Sequence, residues 1–178
     1  MESNIQQLID ALIKANITLK INEPLAPLTT WKIGGPAEIL VIITSIEQAQ
    51  QALRLASQYN VPVTFLGGGS NILINDSGIK GMVLKNELRG ISLGSKEEQT
   101  KIYQDQNTEQ TDLKARLQQV EINEYYDFAE LNYDESSDPK ILVTVESGTG
   151  LPFTINNLIT EGITGLQWFA GIPGTIGG

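Results

Sequence analysis

Apolar residues at Ile5, Leu8, Ile9, Leu12 and Ile13 follow the i, i+3, i+4, i+7, i+8 spacing of an amphipathic helix. Ser3 and Gln6 have the spacing of a capping box at its start, and Asn16 is a natural stop. The pattern then lapses. Asn22 to Pro36 holds Pro24, Pro27, Gly34, Gly35 and Pro36 and reads as irregular. From Ala37 to Thr44 the chain is apolar and rich in β-branched residues, which predicts a strand buried on both faces. Ser45 and Gln48 form a second capping-box pair, after which Ile46, Ala49, Leu53 and Ala56 line one helical face up to Tyr59. Pro62 to Leu66 reads as the next strand. Strand, helix and strand at these lengths predict a βαβ unit with a right-handed crossover.

Beyond Gly67-Gly-Gly-Ser-Asn71, the short apolar run Ile72 to Ile74 leads to a turn at Asp76-Ser-Gly78 and a strand at Met82 to Leu84. Gly94 to Lys140 breaks the rhythm. It is polar, rich in Gln, Glu and Asp, and reads as an insertion, partly disordered or forming a surface helix around Leu113 to Val120. Ile141 to Val145 resumes as a strand. Leu151 to Thr160 reads as a helix with Pro152 in its first turn and Gly162 as its cap. The last segment, Ala170 to Gly178, is a glycine-rich loop, and a domain rarely ends inside one, so the chain is expected to be incomplete.

Charge refines this picture. The formal net charge is −9, and Gly94 to Lys140 carries 12 acids against 5 bases, so most of the acidity lies in that segment. An acidic chain lacks the electrostatic footprint for nucleic acid or anionic lipid, and neither is expected as a partner. There is no Cys and no His, which excludes disulfides, thiol nucleophiles, Ser-His-Asp machinery and Cys/His zinc sites; no metal site is expected. The longest purely apolar run, Ile39 to Ile43, is far short of a membrane span, and Met1 to Ala15 lacks the basic start of a signal peptide. A cytoplasmic location fits these features.

Candidate chemistry centres on glycine. Gly67, Gly68, Gly69, Ser70 and Asn71 follow a strand of a parallel sheet, where α/β folds bind ligands. Glycines let the backbone approach a ligand closely, and successive N–H groups can converge on an anion such as a pyrophosphate without a cationic side chain. No Gly-Lys-Ser/Thr is present, and a strand rather than a helix follows, so neither the P-loop nor the Rossmann fingerprint fits. The same residues also suit a tight turn between two strands. Gly171-Ile-Pro-Gly-Thr-Ile-Gly-Gly178 is a second loop able to bring amides against a ring or phosphate, or else a mobile tail. Thr29-Thr-Trp-Lys-Ile-Gly-Gly35 is a third candidate, in which Trp31 is more often a core aromatic and Lys32 a surface charge. No pair of acids stands out as acid/base machinery.

Three segments together carry a resemblance. Asn22-Glu-Pro-Leu with Thr29 to Gly35, Leu66 to Leu73 with Asp76 to Val83, and Gly162 to Gly178 resemble, in order and approximate spacing, the FAD domain of UDP-N-acetylenolpyruvoylglucosamine reductases. The likeness covers about residues 20–93 and 141–178. It implies an α+β fold, two α/β subdomains of the vanillyl-alcohol-oxidase (PCMH) type, with FAD bound non-covalently between them. Residues 1–19 would be an amino-terminal helix, 20–93 the first subdomain, 94–140 an acidic insertion and 141–178 the start of the second subdomain, with the substrate domain absent. Gly67, Gly68, Gly69, Ser70 and Asn71 would hold the pyrophosphate, followed by a hairpin. Thr30, Ile33, Gly34 and Gly35 would flank the cofactor on one side. Gly171, Ile172, Pro173, Gly174, Thr175, Gly177 and Gly178 would flank it nearer the isoalloxazine.

The resemblance also implies a reaction. NADPH reduces FAD, which passes hydride to the enolpyruvyl double bond of UDP-N-acetylglucosamine enolpyruvate, and a protein acid protonates the product, UDP-N-acetylmuramate. The family's Asn-Ala-Gly-Ala-Tyr-Gly segment and its later arginine, serine and glutamate do not occur within these residues, so no catalytic residue is assigned. The chain alone is expected to be inactive and monomeric. Another flavin oxidoreductase of the same fold is the first alternative, weakened by the absence of a His to tether the flavin. A non-catalytic FAD- or nucleotide-binding module is the second.

Overall fold

The structure, a computed structural model, describes residues 2–94, 100–103 and 141–178. Helix α1 (Glu2–Lys14) leads into strand β1 (Leu19–Pro24), a short 3-10 turn (Ala26–Leu28), strand β2 (Pro36–Ile43) and helix α2 (Ile46–Gln58). Strands β3 (Val63–Leu66) and β4 (Ile79–Asn86) complete a four-stranded sheet in the order β1-β2-β4-β3. β1 runs antiparallel to β2, while β2, β4 and β3 are mutually parallel.

Alternation along the two central strands divides the core into two layers. Ile39, Val41 and Ile43 of β2 and Met82 and Leu84 of β4 pack with Leu8 and Leu12 of α1 and Ala52 and Ala56 of α2. Leu40 and Val83 face the opposite way and join Leu25, Leu66 and Ile74, which come from loops and the end of β3. Helices therefore cover one face of the sheet and loops cover the other. Each fully buried Leu or Ile stabilises by roughly 1.5–3 kcal/mol, enough to hold the small helices α1 and α2 in place.

The expected helices form, with one difference at the start. α1 begins at Glu2, upstream of Ser3, and the Gln6 side-chain amide donates to Asp10 Oδ1 at 2.9 Å. In α2 the Ser45 hydroxyl accepts from Gln48 N at 3.2 Å, while Gln48 Oε1 accepts from Thr44 N at 3.0 Å. Helix α3 (Leu151–Thr160) has the expected bounds. These three helices close the same way. Asn16, Asn60 and Gly162 stand in the left-handed region, and the next amide in each case reaches back to the last turn: Ile17 to Leu12 O, Val61 to Ala56 O, Ile163 to Leu158 O.

The βαβ expectation holds in part. β2 and β3 are parallel, but β4 lies between them. No hairpin follows the glycine loop, because β3 and β4 are parallel neighbours. Adjacent parallel strands need a crossover of about a dozen residues, and residues 67–78 supply it. Where β4 carries an extra residue against β2, Gly81 takes φ +83° and its N–H goes to Glu38 Oε2 at 2.7 Å.

A second sheet is built on β5 (Ile91–Leu93), flanked by the antiparallel strands β6 (Thr100–Tyr103) and β7 (Val143–Val145). β6 lies inside the segment read from its polarity as an insertion; ladder pairing with β5 defines it where periodicity is silent. The surface helix expected at Leu113 to Val120 lies outside the described residues. No helix among the described residues is long and apolar enough to cross a membrane.

Candidate cofactor site

The crossover between β3 and β4 begins with Gly67 to Asn71 and lies over the loop-covered face of the sheet. Its carbonyls are held from below. Thr30 N donates to Gly69 O at 2.9 Å, and the Lys85 ammonium donates to Gly67 O. The Ser70 hydroxyl donates to Pro173 O at 3.4 Å. None of these bonds consumes a loop N–H. In a trans peptide the N–H points opposite to the preceding C=O, so pinning the Gly67 and Gly69 carbonyls turns the Gly68 and Ser70 amides away from their anchors. Gly69 takes φ +69°, and a Cβ there would fall on the Leu28 carbonyl oxygen, so only glycine fits.

The terminal loop packs directly against this crossover. Leu151 N donates to Gly174 O at 3.0 Å, Ile176 N to Thr149 O at 2.9 Å and Gly177 N to Ser147 O at 2.9 Å, which fixes the loop to the start of α3. Asn86 Nδ2, at the end of β4, donates to Ser147 Oγ at 2.8 Å and ties that assembly back to the first sheet. A Cβ on Gly68 would lie 3.4 Å from Gly174 Cα, and one on Gly67 would lie 3.0 Å from Thr175 Oγ1. The two glycine loops, about a hundred residues apart in sequence, thus meet face to face.

Between them is a cavity of about 590 Å³. Gly67, Gly68, Gly69, Ser70, Asn71, Ile172, Pro173, Thr175 and Gly178 line it, together with Phe65, Leu66 and Ile72. Gly174 sits just behind, against Gly68 and Ser70, and Gly177 packs on Ser147. Gly171 lies in the open part of the loop. The Thr30 to Gly35 group takes a different place. Thr30 braces the crossover through Gly69, Gly35 N donates to Asn75 O at 3.0 Å, Gly34 packs on Ile74, and the exposed Ile33 offers its carbonyl to Thr29 Oγ1. These four do not line the cavity. Trp31 is not a core residue: Thr29 occupies the interior, Lys32 turns the chain at φ +57°, and the indole is 67% exposed. Lys32 is a surface residue whose ammonium donates to Pro27 O at 3.0 Å.

Two features went unread in the sequence. Phe65 is 61% exposed at the end of β3 and forms one wall of the cavity. Its signal was an aromatic in a strand end next to a glycine loop. Lys85 is 8% exposed and lies beneath the loop. Its signal was a cation continuing the apolar run Met82 to Leu84. Desolvation pushes its pKa below the ordinary lysine value; Glu87 opposes this and Arg89 adds to it.

Comparison with known proteins bears directly on this site. Residues 37–102 match the FAD binding domain family. The chain is 31% identical over 161 residues to the UDP-N-acetylenolpyruvoylglucosamine reductase of Rubrobacter xylanophilus, covering 89% of this chain and 39% of that protein. It is 32% identical to the enzyme of the same name from Lachnoclostridium phytofermentans, over 88% of this chain and 38% of that one. Against reductase 1 of Bacillus cereus it is 29% identical, over 98% and 44%. The chain is therefore similar to these reductases over most of its own length and carries a FAD binding domain match within it. It spans about two fifths of the length of these relatives.

The residues around the cavity suit a ligand of this kind. The cavity lies within the roughly 300–1,000 Å³ of small-molecule sites. Its floor is made of glycines whose Cβ atoms would close the gap between the loops. Thr175 Oγ1 is buried without a hydrogen-bond partner among the described residues, and a buried hydroxyl is ordinarily satisfied by something. No lining side chain is charged, so the groups that would hold an anion there are amides and hydroxyls.

Proposed function

We propose that the domain binds FAD non-covalently across the two glycine loops, with the pyrophosphate on Gly67 to Asn71 and the flavin toward Ile172 to Gly178. In this reading Thr30, Ile33, Gly34 and Gly35 support the cofactor by fixing the crossover, with Gly171, Gly174 and Gly177 shaping the facing loop. The observation that carries it is the meeting of two distant glycine loops around one cavity, in a chain whose residues 37–102 match a FAD binding domain. The bound flavin would supply hydride chemistry, while these residues bind and orient it.

We further propose that the domain serves a cytoplasmic, NADPH-dependent reduction of UDP-N-acetylglucosamine enolpyruvate to UDP-N-acetylmuramate, a step of peptidoglycan synthesis. Support comes from the names and identity of the relatives. No residue of the 178 is assigned to catalysis. Titration of the purified chain with FAD, followed by flavin fluorescence and by calorimetry with ADP, tests the binding. Saturable binding of both, with no NADPH oxidation when the enolpyruvyl sugar is added, is the expected outcome. Absence of binding by either ligand would overturn the cofactor assignment.

A further inference from the structure

Lys85 is the buried charged residue among the described ones, and no carboxylate pairs with it there. It shares its face of β4 with Val83, the face covered by the glycine crossover, and its cross-strand neighbours are Ile42 and Leu66. A buried ammonium among apolar residues is unfavourable unless something compensates it. Here the ammonium donates to Gly67 O, the first carbonyl of the loop.

We propose, on the FAD reading above, that Lys85 is a positioning residue for the anionic part of the cofactor: it pins the Gly67 carbonyl, turns the Gly68 N–H outward, and lends the loop a positive charge its own residues lack. Two physical effects combine. A donor on the Gly67 oxygen polarises the Gly67–Gly68 peptide and strengthens the next N–H as a donor. A pyrophosphate over the loop adds counter-charge to that of Glu87, across a medium of low dielectric. Neither Ile42, Leu66 nor the loop from Gly67 to Asn71 is titratable; Glu87 and Arg89 of the same chain segment are the charged groups that act on Lys85. A bound anion therefore favours the protonated lysine.

The test uses the full chain as wild type, Lys85→Met, Lys85→Arg and the control Lys80→Met, which removes an exposed charge from the start of the same strand. Affinities for FAD and ADP are measured by calorimetry, alongside thermal unfolding. Lys85→Met should keep its melting temperature and lose about tenfold or more in affinity for both ligands. Lys85→Arg should recover part of that loss, and Lys80→Met should bind as wild type does. Unchanged FAD affinity in Lys85→Met overturns the proposal while leaving the cofactor assignment standing. Equal loss of melting temperature and affinity in both Lys85 variants overturns it in favour of a plain structural tether. Wild type that binds neither ligand overturns the cofactor assignment itself.

Discussion

At Gly69 and Gly68, adjacent residues of one motif meet different constraints. Gly69 is left-handed with the Leu28 carbonyl against its missing Cβ, whereas Gly68 has a Cβ position 3.4 Å from Gly174 Cα, ordinary contact. Gly69→Ala should therefore destabilise the fold by about 3 kcal/mol or more, read by urea unfolding. Gly68→Ala should change stability by less than about 1 kcal/mol but weaken FAD binding, because the added methyl takes up space between the two loops. Lys85 gives a second residue-level expectation. Its folded pKa lies below the ordinary 10.5, so between those two values the unfolded chain holds more protons than the folded one. Stability from this group therefore rises with pH through that window. Unfolding of wild type and Lys85→Met, followed from neutral pH toward 10.5, should show wild type gaining relative to the variant. The sequence showed the glycines but not these distinctions, since φ angles and the identity of the facing atom are tertiary facts.

Among the elements, α2 shows how far local chemistry reaches. Ser45, Gln48 and the apolar stripe specify both its start and its buried face, and the structure agrees. Ser45→Ala should remove a cap worth about 1 kcal/mol and lower the melting temperature by roughly 2–4 °C, measurable by circular dichroism. α1 starts at Glu2, upstream of the Ser3 and Gln6 pair, a choice no local rule separates from the alternative. β2 was legible because a strand buried on both faces is a continuous apolar run. β6 was not, because Thr100 to Tyr103 is set by its pairing with β5 rather than by its own pattern. The same limit applies to the crossover. Its glycines read equally as a turn, and only the insertion of β4 between β2 and β3 shows that the two strands around it are parallel neighbours.

Across the whole molecule, the site joins parts that sequence order keeps separate. The Gly67 to Asn71 crossover stands on the first sheet, and the facing loop hangs from α3, with Asn86, Ser147 and the Ser70 to Pro173 bond spanning the two. The two halves of the cavity were each visible as glycine-rich segments; that they meet was implied only by resemblance, because contacts across a hundred residues leave no local signature. The strand order has a consequence in time. β3 is made before β4 in the chain but has β4 as its ladder partner, so its ladder cannot form until the later strand exists. We expect β4 to dock on β2 in the rate-limiting step and the glycine crossover to close after it. Refolding and unfolding followed by stopped flow should separate two substitutions accordingly. Leu84→Ala in the β2–β4 core should slow refolding, whereas Val63→Ala in β3 should mainly speed unfolding. On that order the nascent chain would complete its core before its glycine crossover, and a newly made copy would be a folded sheet for a moment before its cavity had two walls.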